Sequence, residues 1–134
     1  MKAILDTGPW VALIDRSETH HDRCVKWLKG FSGKLYSTEA VLTEVLYLLN
    51  FSAIAQCAAI DFVLSSVVEI IPASLESLRA SRDLMDKYSD LPMDYADATL
   101  VSLATETKVR HIVTFDQKDF TIYRAERQPF VIIP

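Results

Sequence analysis

The segment Ala3-Ile4-Leu5-Asp6-Thr7-Gly8-Pro9-Trp10-Val11-Ala12-Leu13-Ile14 reads as a buried strand, a turn and a short helix. Three successive apolar residues closed by Asp-Thr-Gly-Pro make a short strand and its exit. Pro9 is expected to open the helix, because the first helical turn has no use for the amide hydrogen that proline lacks. Further along, helix is expected over Ser17–Leu28, followed by a second strand at Lys34–Ser37. Thr38 then stands as N-cap of a helix to about Asn50, and another helix covers about Ser52 to Leu64. The β-branched run Val67–Ile71 is a third strand, closed by Pro72. Ser74 caps a helix to about Tyr88, and Asp94 opens one to about Thr107. His111–Phe115 is a strand, Asp116–Asp119 a turn, and Phe130–Ile133 a terminal strand.

Strands that alternate with helices in this way predict an α/β fold, a three-layer α/β/α sandwich with a mainly parallel central sheet. In such sheets, sites form outside the carboxyl ends of the strands, where the strand order reverses. The low content of turn formers, Gly 3 and Pro 5, excludes an all-β protein built from many tight turns. An apolar fraction of 50% in 134 residues excludes disorder and supplies one domain's worth of core. No repeat, low-complexity tract or linker divides the chain.

The net charge is −4. A protein that grips nucleic acid through its phosphates alone is normally basic, so any such role here needs a local basic patch or metal ions. Cys24 and Cys57 are expected as reduced, buried thiols of a cytoplasmic protein. The uncharged stretch Val45–Ile60 is shorter than the ~20 residues of a membrane span. The amino terminus reaches Asp6 too soon for a signal sequence.

Acids fall where the fold puts a site. Asp6 ends the first strand, Asp116 follows the strand His111–Phe115, and Asp94 and Asp97 open the helix before that strand. At about 100° per residue, Asp97 lies in the arc of Leu100, Val101 and Ala104, whereas Asp94 occupies the N-cap. Glu44 sits at the edge of the apolar arc of Val41, Leu42, Val45, Leu46, Leu48 and Leu49. Half-buried carboxylates must be paired or bound to a cation. Several that converge without a basic neighbour suit a hard cation, Mg²⁺ or Mn²⁺. His20, His21 and His111 have no zinc spacing. Clustered carboxylates with bound metal are a recurrent arrangement for phosphodiester hydrolysis.

Four segments carry a family resemblance: Ile4-Leu5-Asp6-Thr7, Val41-Leu42-Thr43-Glu44-Val45-Leu46, Tyr95-Ala96-Asp97-Ala98 and Val113-Thr114-Phe115-Asp116-Gln117-Lys118-Asp119-Phe120. In this order they resemble the acidic motifs of PIN-domain ribonucleases. The chain length and apolar amino terminus are similar to the VapC-like toxins of type II toxin–antitoxin modules. The resemblance spans essentially the whole chain, residues 1–134 as a single PIN-like domain. It implies a metal-dependent endoribonuclease whose Mg²⁺ or Mn²⁺ ligands fall on Asp6, Glu44, Asp97 and Asp116, supported by Thr7, Thr114 and Asp94. Gly8-Pro9-Trp10 departs from the small and aliphatic residues common there, and Asp94 adds an acid, but no ligand is lost. Lys118 and Arg110 are the candidate RNA contacts.

The resemblance also implies a homodimer and an antitoxin protein, joined through Val45–Ile60, where Leu46, Leu49, Phe51, Ile54 and Ala58 leave an uncharged helical surface. The competing readings are weaker. Asp6-Thr7-Gly8 matches the aspartic-protease tripeptide, but that fold is β-rich and needs two such loops. An aspartyl phosphotransferase needs an acid where Gly8 stands. A catalytically silent PIN-fold RNA-binding or protein-interaction module would lack one of the acids, and all are present.

Overall fold

The computed structural model describes residues 1–133; Pro134, the last residue of the expected domain, lies outside them. In chain order the elements are β1 (Lys2–Leu5), α1 (Thr7–Ile14), α2 (His21–Gly30), β2 (Lys34–Ser37), α3 (Glu39–Leu48), α4 (Ala53–Leu64), β3 (Val68–Ile70), α5 (Leu75–Lys87), α6 (Tyr95–Thr107), β4 (His111–Val113), α7 (Gln117–Phe120), β5 (Arg124–Ala125), β6 (Gln128–Pro129) and β7 (Val131–Ile133). Five strands form one sheet in the order β3-β2-β1-β4-β7. Every pairing in it is parallel.

Crossovers between parallel strands are right-handed. The first two step outward from β1 to β2 to β3, and the third returns to the other side of β1. Their helices therefore cover opposite faces of the sheet, and the order reverses between β1 and β4. Ala3, Ile4 and Leu5 are all fully buried, as a strand covered on both faces must be. The core continues through Trp10, Val41, Val45, Leu49, Leu100, Ile112, Phe120 and Tyr123.

The local start signals hold. Thr38, Ser52, Ser74 and Asp94 each cap a helix with a side-chain oxygen that accepts a backbone N–H. Several boundaries differ from expectation: β4 ends at Val113 rather than Phe115, β3 is trimmed to Val68–Ile70 and α3 ends at Leu48 rather than about Asn50, and three further differences have a plain local cause. Asp6, not the turn before Pro9, is the N-cap of α1, so the helix starts at Thr7 and Pro9 lies inside its first turn, where no amide bond is lost. The expected start of α2 at Ser17 fails because Asp15 Oδ1 accepts from both the backbone N–H and the hydroxyl of Ser17, at 3.0 and 2.7 Å. That Asx turn delays the helix to His21. The expected turn at Asp116–Asp119 is the one-turn helix α7, capped by Asp116.

The β5–β6 hairpin has no counterpart in the sequence reading. Its turn residues Glu126 and Arg127 have φ of 50° and 68°, values that normally call for Asn or Gly. Lys108–Glu126 at 2.8 Å and Arg110–Gln128 at 2.7 Å tie the turn to the segment before β4. Cys24 is buried, but Cys57 is exposed on α4, contrary to expectation. Leu48 is also exposed, whereas Leu49 points into the core.

Candidate active site

The site lies at the carboxyl end of β1 and β4, where the strand order reverses. Asp6 and Thr114 each stand one residue beyond their strand. The Asp6 N–H still donates to the Val113 carbonyl at 3.0 Å, and the Thr114 N–H to that of Ile133 at 3.2 Å. Backbone pairing thus carries both side chains to one edge of the sheet. The Thr114 hydroxyl accepts from the Asp116 N–H at 3.0 Å and donates to Asp6 Oδ2 at 2.7 Å. Asp6 Oδ1 accepts from the Thr7 N–H at 2.8 Å. The neighbouring Thr7 hydroxyl donates to Glu44 Oε1 at 2.8 Å, which brings the α3 acid to the same place.

The other flank is built from α6 and α7. Asp94 Oδ1 accepts from the Asp97 N–H at 2.8 Å. The cap fixes the first turn of α6 and leaves the Asp97 carboxylate free of that duty. Tyr123, fully buried and edge-on to Tyr88 and Phe120, donates its hydroxyl to Asp97 Oδ2 at 3.3 Å. Asp116 Oδ1 accepts from the Asp119 N–H at 3.1 Å, and this turn swings the Asp119 side chain back toward Asp116. Asp97, Asp116 and Asp119 each offer a carboxylate oxygen, all within 4.8 Å of one another.

Crowding and burial set the protonation. Asp6, 8% exposed, is pushed up to about 6, chiefly by burial, with repulsion from Glu44 and Asp116 added and the hydrogen bonds from Thr114 and Thr7 opposing. Asp97 is pushed up to about 8, again first by burial, then by the charges of Asp94, Asp6 and Asp116. Partial burial and the nearby Asp116 raise Asp119. Burial and the adjacent Asp97 also raise the Tyr123 hydroxyl, so it stays a hydrogen-bond donor. Carboxylates this reluctant to ionise together lack a counter-charge.

Opposing ligands of an octahedral Mg²⁺ stand about 4.2 Å apart. Adjacent ligands stand only about 3 Å apart, so the oxygens of Asp97, Asp116 and Asp119, within 4.8 Å of one another, would draw together around a cation; their all-oxygen donor set suits Mg²⁺ or Mn²⁺. Asp6 and Glu44, each held by a threonine, stand ready on the β1 side. Sequence reasoning passed over Asp119 and Tyr123. The Asp119 signal was present, three residues after a helix-capping Asp116, but the Tyr123 hydroxyl meets Asp97 only through folding. Lys118 is exposed on α7 beside the acids. Arg110 does not belong to the site: it precedes β4, at the strand end opposite Thr114, and its guanidinium binds Gln128 of the hairpin. The indole of Trp10 is core, and Trp27 stacks on Phe31 at 4.8 Å.

Known proteins resemble this chain over most of its length. Ribonuclease VapC26 of Mycobacterium tuberculosis is 24% identical over 123 residues, which cover 90% of this chain and 91% of that protein. The crystal structure of Mycobacterium tuberculosis VapC20, a sarcin-ricin loop cleaving toxin, superposes with a TM-score of 0.79 at 19% identity, over 87% of this chain and 91% of that one. A toxin-antitoxin complex from Klebsiella pneumoniae superposes with a TM-score of 0.67 at 18% identity, over 98% and 96% of the two chains. The model of the PIN domain matches residues 3–126, and with its acids gathered at the β1–β4 switch point the chain belongs to the PIN domain family.

Proposed function

We propose that this chain is a divalent-metal-dependent endoribonuclease, the toxin of a toxin–antitoxin pair, folded as one PIN-like domain and working in the cytoplasm. The observation that carries the reading is the meeting of Asp97, Asp116 and Asp119 oxygens within 4.8 Å, beside Asp6 and Glu44. Asp6, Glu44, Asp97 and Asp116, joined by Asp119, would hold Mg²⁺ or Mn²⁺. When bound, the cation supplies an activated water and neutralises charge on the leaving oxygen of the phosphodiester.

The chain's own groups do the positioning. Thr114 aims Asp6 and Thr7 aims Glu44, each with a 2.7–2.8 Å hydrogen bond. Asp94 holds the α6 turn that presents Asp97, and Tyr123 orients its Oδ2. The raised affinity of Asp6 and Asp97 for protons keeps the site from repelling itself until a cation replaces those protons. Lys118, exposed on α7, is placed to meet an RNA phosphate. Cleavage of a labelled RNA in millimolar Mg²⁺ or Mn²⁺, stopped by chelation and restored by added metal, is the expected result. No cleavage of any RNA, with folded protein and either metal, refutes the reading.

Tyr47, Leu48, Phe51 and Ile54 lie exposed around the α3–α4 junction, Phe51 by 65% and Ile54 by 85%. An apolar patch of this kind marks an interaction surface. We place the homodimer contact and the apolar helix of an antitoxin in this region. Leu49, expected there, is buried and belongs to the core. Among the described residues no helix is long and apolar enough to cross a membrane. Ile54→Glu should leave the melting temperature of the monomer unchanged and abolish self-association, read as mass by light scattering at micromolar concentration. A wild-type protein that is monomeric across that range removes the homodimer.

A further inference from the structure

Acids alone repel RNA, so a site built on them needs a cation held in a fixed place nearby. Lys118 is near, but among the described residues no ion pair holds its ammonium. Arg23 of α2 is held. Its guanidinium carbon lies 5.4 Å from the centroid of the Phe115 ring, the residue between Thr114 and Asp116.

Phe115 is itself pinned on several sides. The His20 ring lies 4.6 Å away, centroid to centroid. The ring also packs on the small cluster of Ala12, Leu13 and Cys24. Gly8, two residues after Asp6, lets it come close: a Cβ there would fall 2.9 Å from Phe115 Cδ2. The ring thus joins the α1–α2 flank to the loop that carries Thr114 and Asp116, and Arg23 rides on it.

Stacking occupies the flat face of a guanidinium and leaves its in-plane N–H donors free. Among the described residues, Arg23 has no ion-pair partner; the ion pairs there are Lys34–Glu69, Arg82–Asp83 and Lys108–Glu126. Among those residues no hydrogen bond engages its side chain either. A fork of unused donors resting over Phe115, the residue next to Asp116, fits a phosphate oxygen pair. The α7 flank, with Lys118, lies on the other side, toward Tyr123 and Tyr88.

We propose that Arg23, stacked on Phe115, binds a backbone phosphate of single-stranded RNA next to the scissile one. The inference rests on the ribonuclease reading and adds the track of the strand, from Arg23 across the carboxylates to Lys118.

The test is cleavage of a labelled single-stranded RNA in Mn²⁺ by wild type, Arg23→Ala and Arg23→Lys, with KM and kcat separated at several salt concentrations. Arg23 is exposed, so both variants should melt as wild type does. Arg23→Ala should raise KM about tenfold with kcat within about twofold, as for a charged hydrogen bond made equally in ground and transition states. Its log KM should depend on log salt with a slope smaller by about 1. Arg23→Lys should restore the slope but only part of the affinity, because it keeps the charge and loses the planar fork. Unchanged KM and slope in Arg23→Ala would overturn the proposal while leaving the ribonuclease reading intact. Wild type that neither binds nor cleaves RNA overturns that reading instead.

Discussion

Asp97→Asn should lower metal-dependent RNA cleavage by about 10²–10³-fold, the size of a lost electrostatic element at a reacting centre. The substitution removes an acid that must take up a proton or repel its neighbours when the chain folds, so the metal-free protein should be as stable as wild type or more so. Metal affinity and cleavage should fall together. The informative contrast is Asp94→Asn. Asp94 accepts the Asp97 N–H at 2.8 Å, and asparagine is as good an N-cap as aspartate. Its stability should move by less than about 0.5 kcal/mol and its cleavage should largely survive. Asp94 also contributes to the raised proton affinity of Asp97, so Asp94→Asn should shift the acid limb of the pH–rate profile slightly downward. Cleavage assays beside thermal melts, with and without Mn²⁺, measure all of this. A dead Asp94→Asn with a normal Asp97→Asn would mean that the functional face of α6 has been assigned to the wrong acid.

Metal-free stability should fall as pH rises from about 4 to about 8. Asp6 and Asp97 have ordinary values of 3.8 when unfolded and about 6 and about 8 when folded. Between those limits the folded chain binds more protons than the unfolded chain, so the free energy of unfolding declines with pH. The stabilisation is complete below about pH 4. It is lost through the folded values, first that of Asp6 and then that of Asp97. A divalent cation offers the same carboxylates a counter-charge that does not depend on protons, so Mg²⁺ or Mn²⁺ should flatten the slope. At a metal concentration a hundred times Kd the gain is about 2.7 kcal/mol, on the order of 5–10 °C in Tm for a domain of this size. The gain should be largest at pH 8 and small at pH 5, where protons compete. Melts across that range with and without metal decide the matter. A metal-free curve that is flat from pH 5 to pH 8, or a metal effect that does not grow with pH, counts against the cluster.

Much of the fold was legible because its signals are local. Thr38, Ser74 and Asp94 cap their helices through bonds three residues away, a distance sequence spacing reports directly. The run Ala3-Ile4-Leu5 announced a strand covered on both faces. Asp6 and Asp116 announced a site because they fall just past strands of a parallel sheet, and Asp97 because helical geometry separates its face from that of Asp94.

What the sequence alone could not supply depends on contacts between distant residues. Pairing of β1 with β4 is what brings the Thr114 hydroxyl to Asp6. Packing of β5 against α6 takes Tyr123, just before β5, to Asp97, and the α7 turn adds Asp119 to the acids. Arg110 looked like a neighbour of the last motif, but an extended strand carries residues at its two ends apart, and the site uses only one of them. Leu49 and Leu48 are adjacent in sequence, yet a 100° step per residue turns one into the core and the other to solvent. The hairpin after α7 escaped notice because its positive-φ positions hold Glu126 and Arg127, in a turn tied down by Lys108 on Glu126 and Arg110 on Gln128 from the chain before β4. Caps, strands and the choice of acids are written in short-range chemistry. Which carboxylates come within reach of one another, and which guanidinium rests over Phe115, is decided by sheet order and helix packing, because those alone fix distances between residues far apart in the chain.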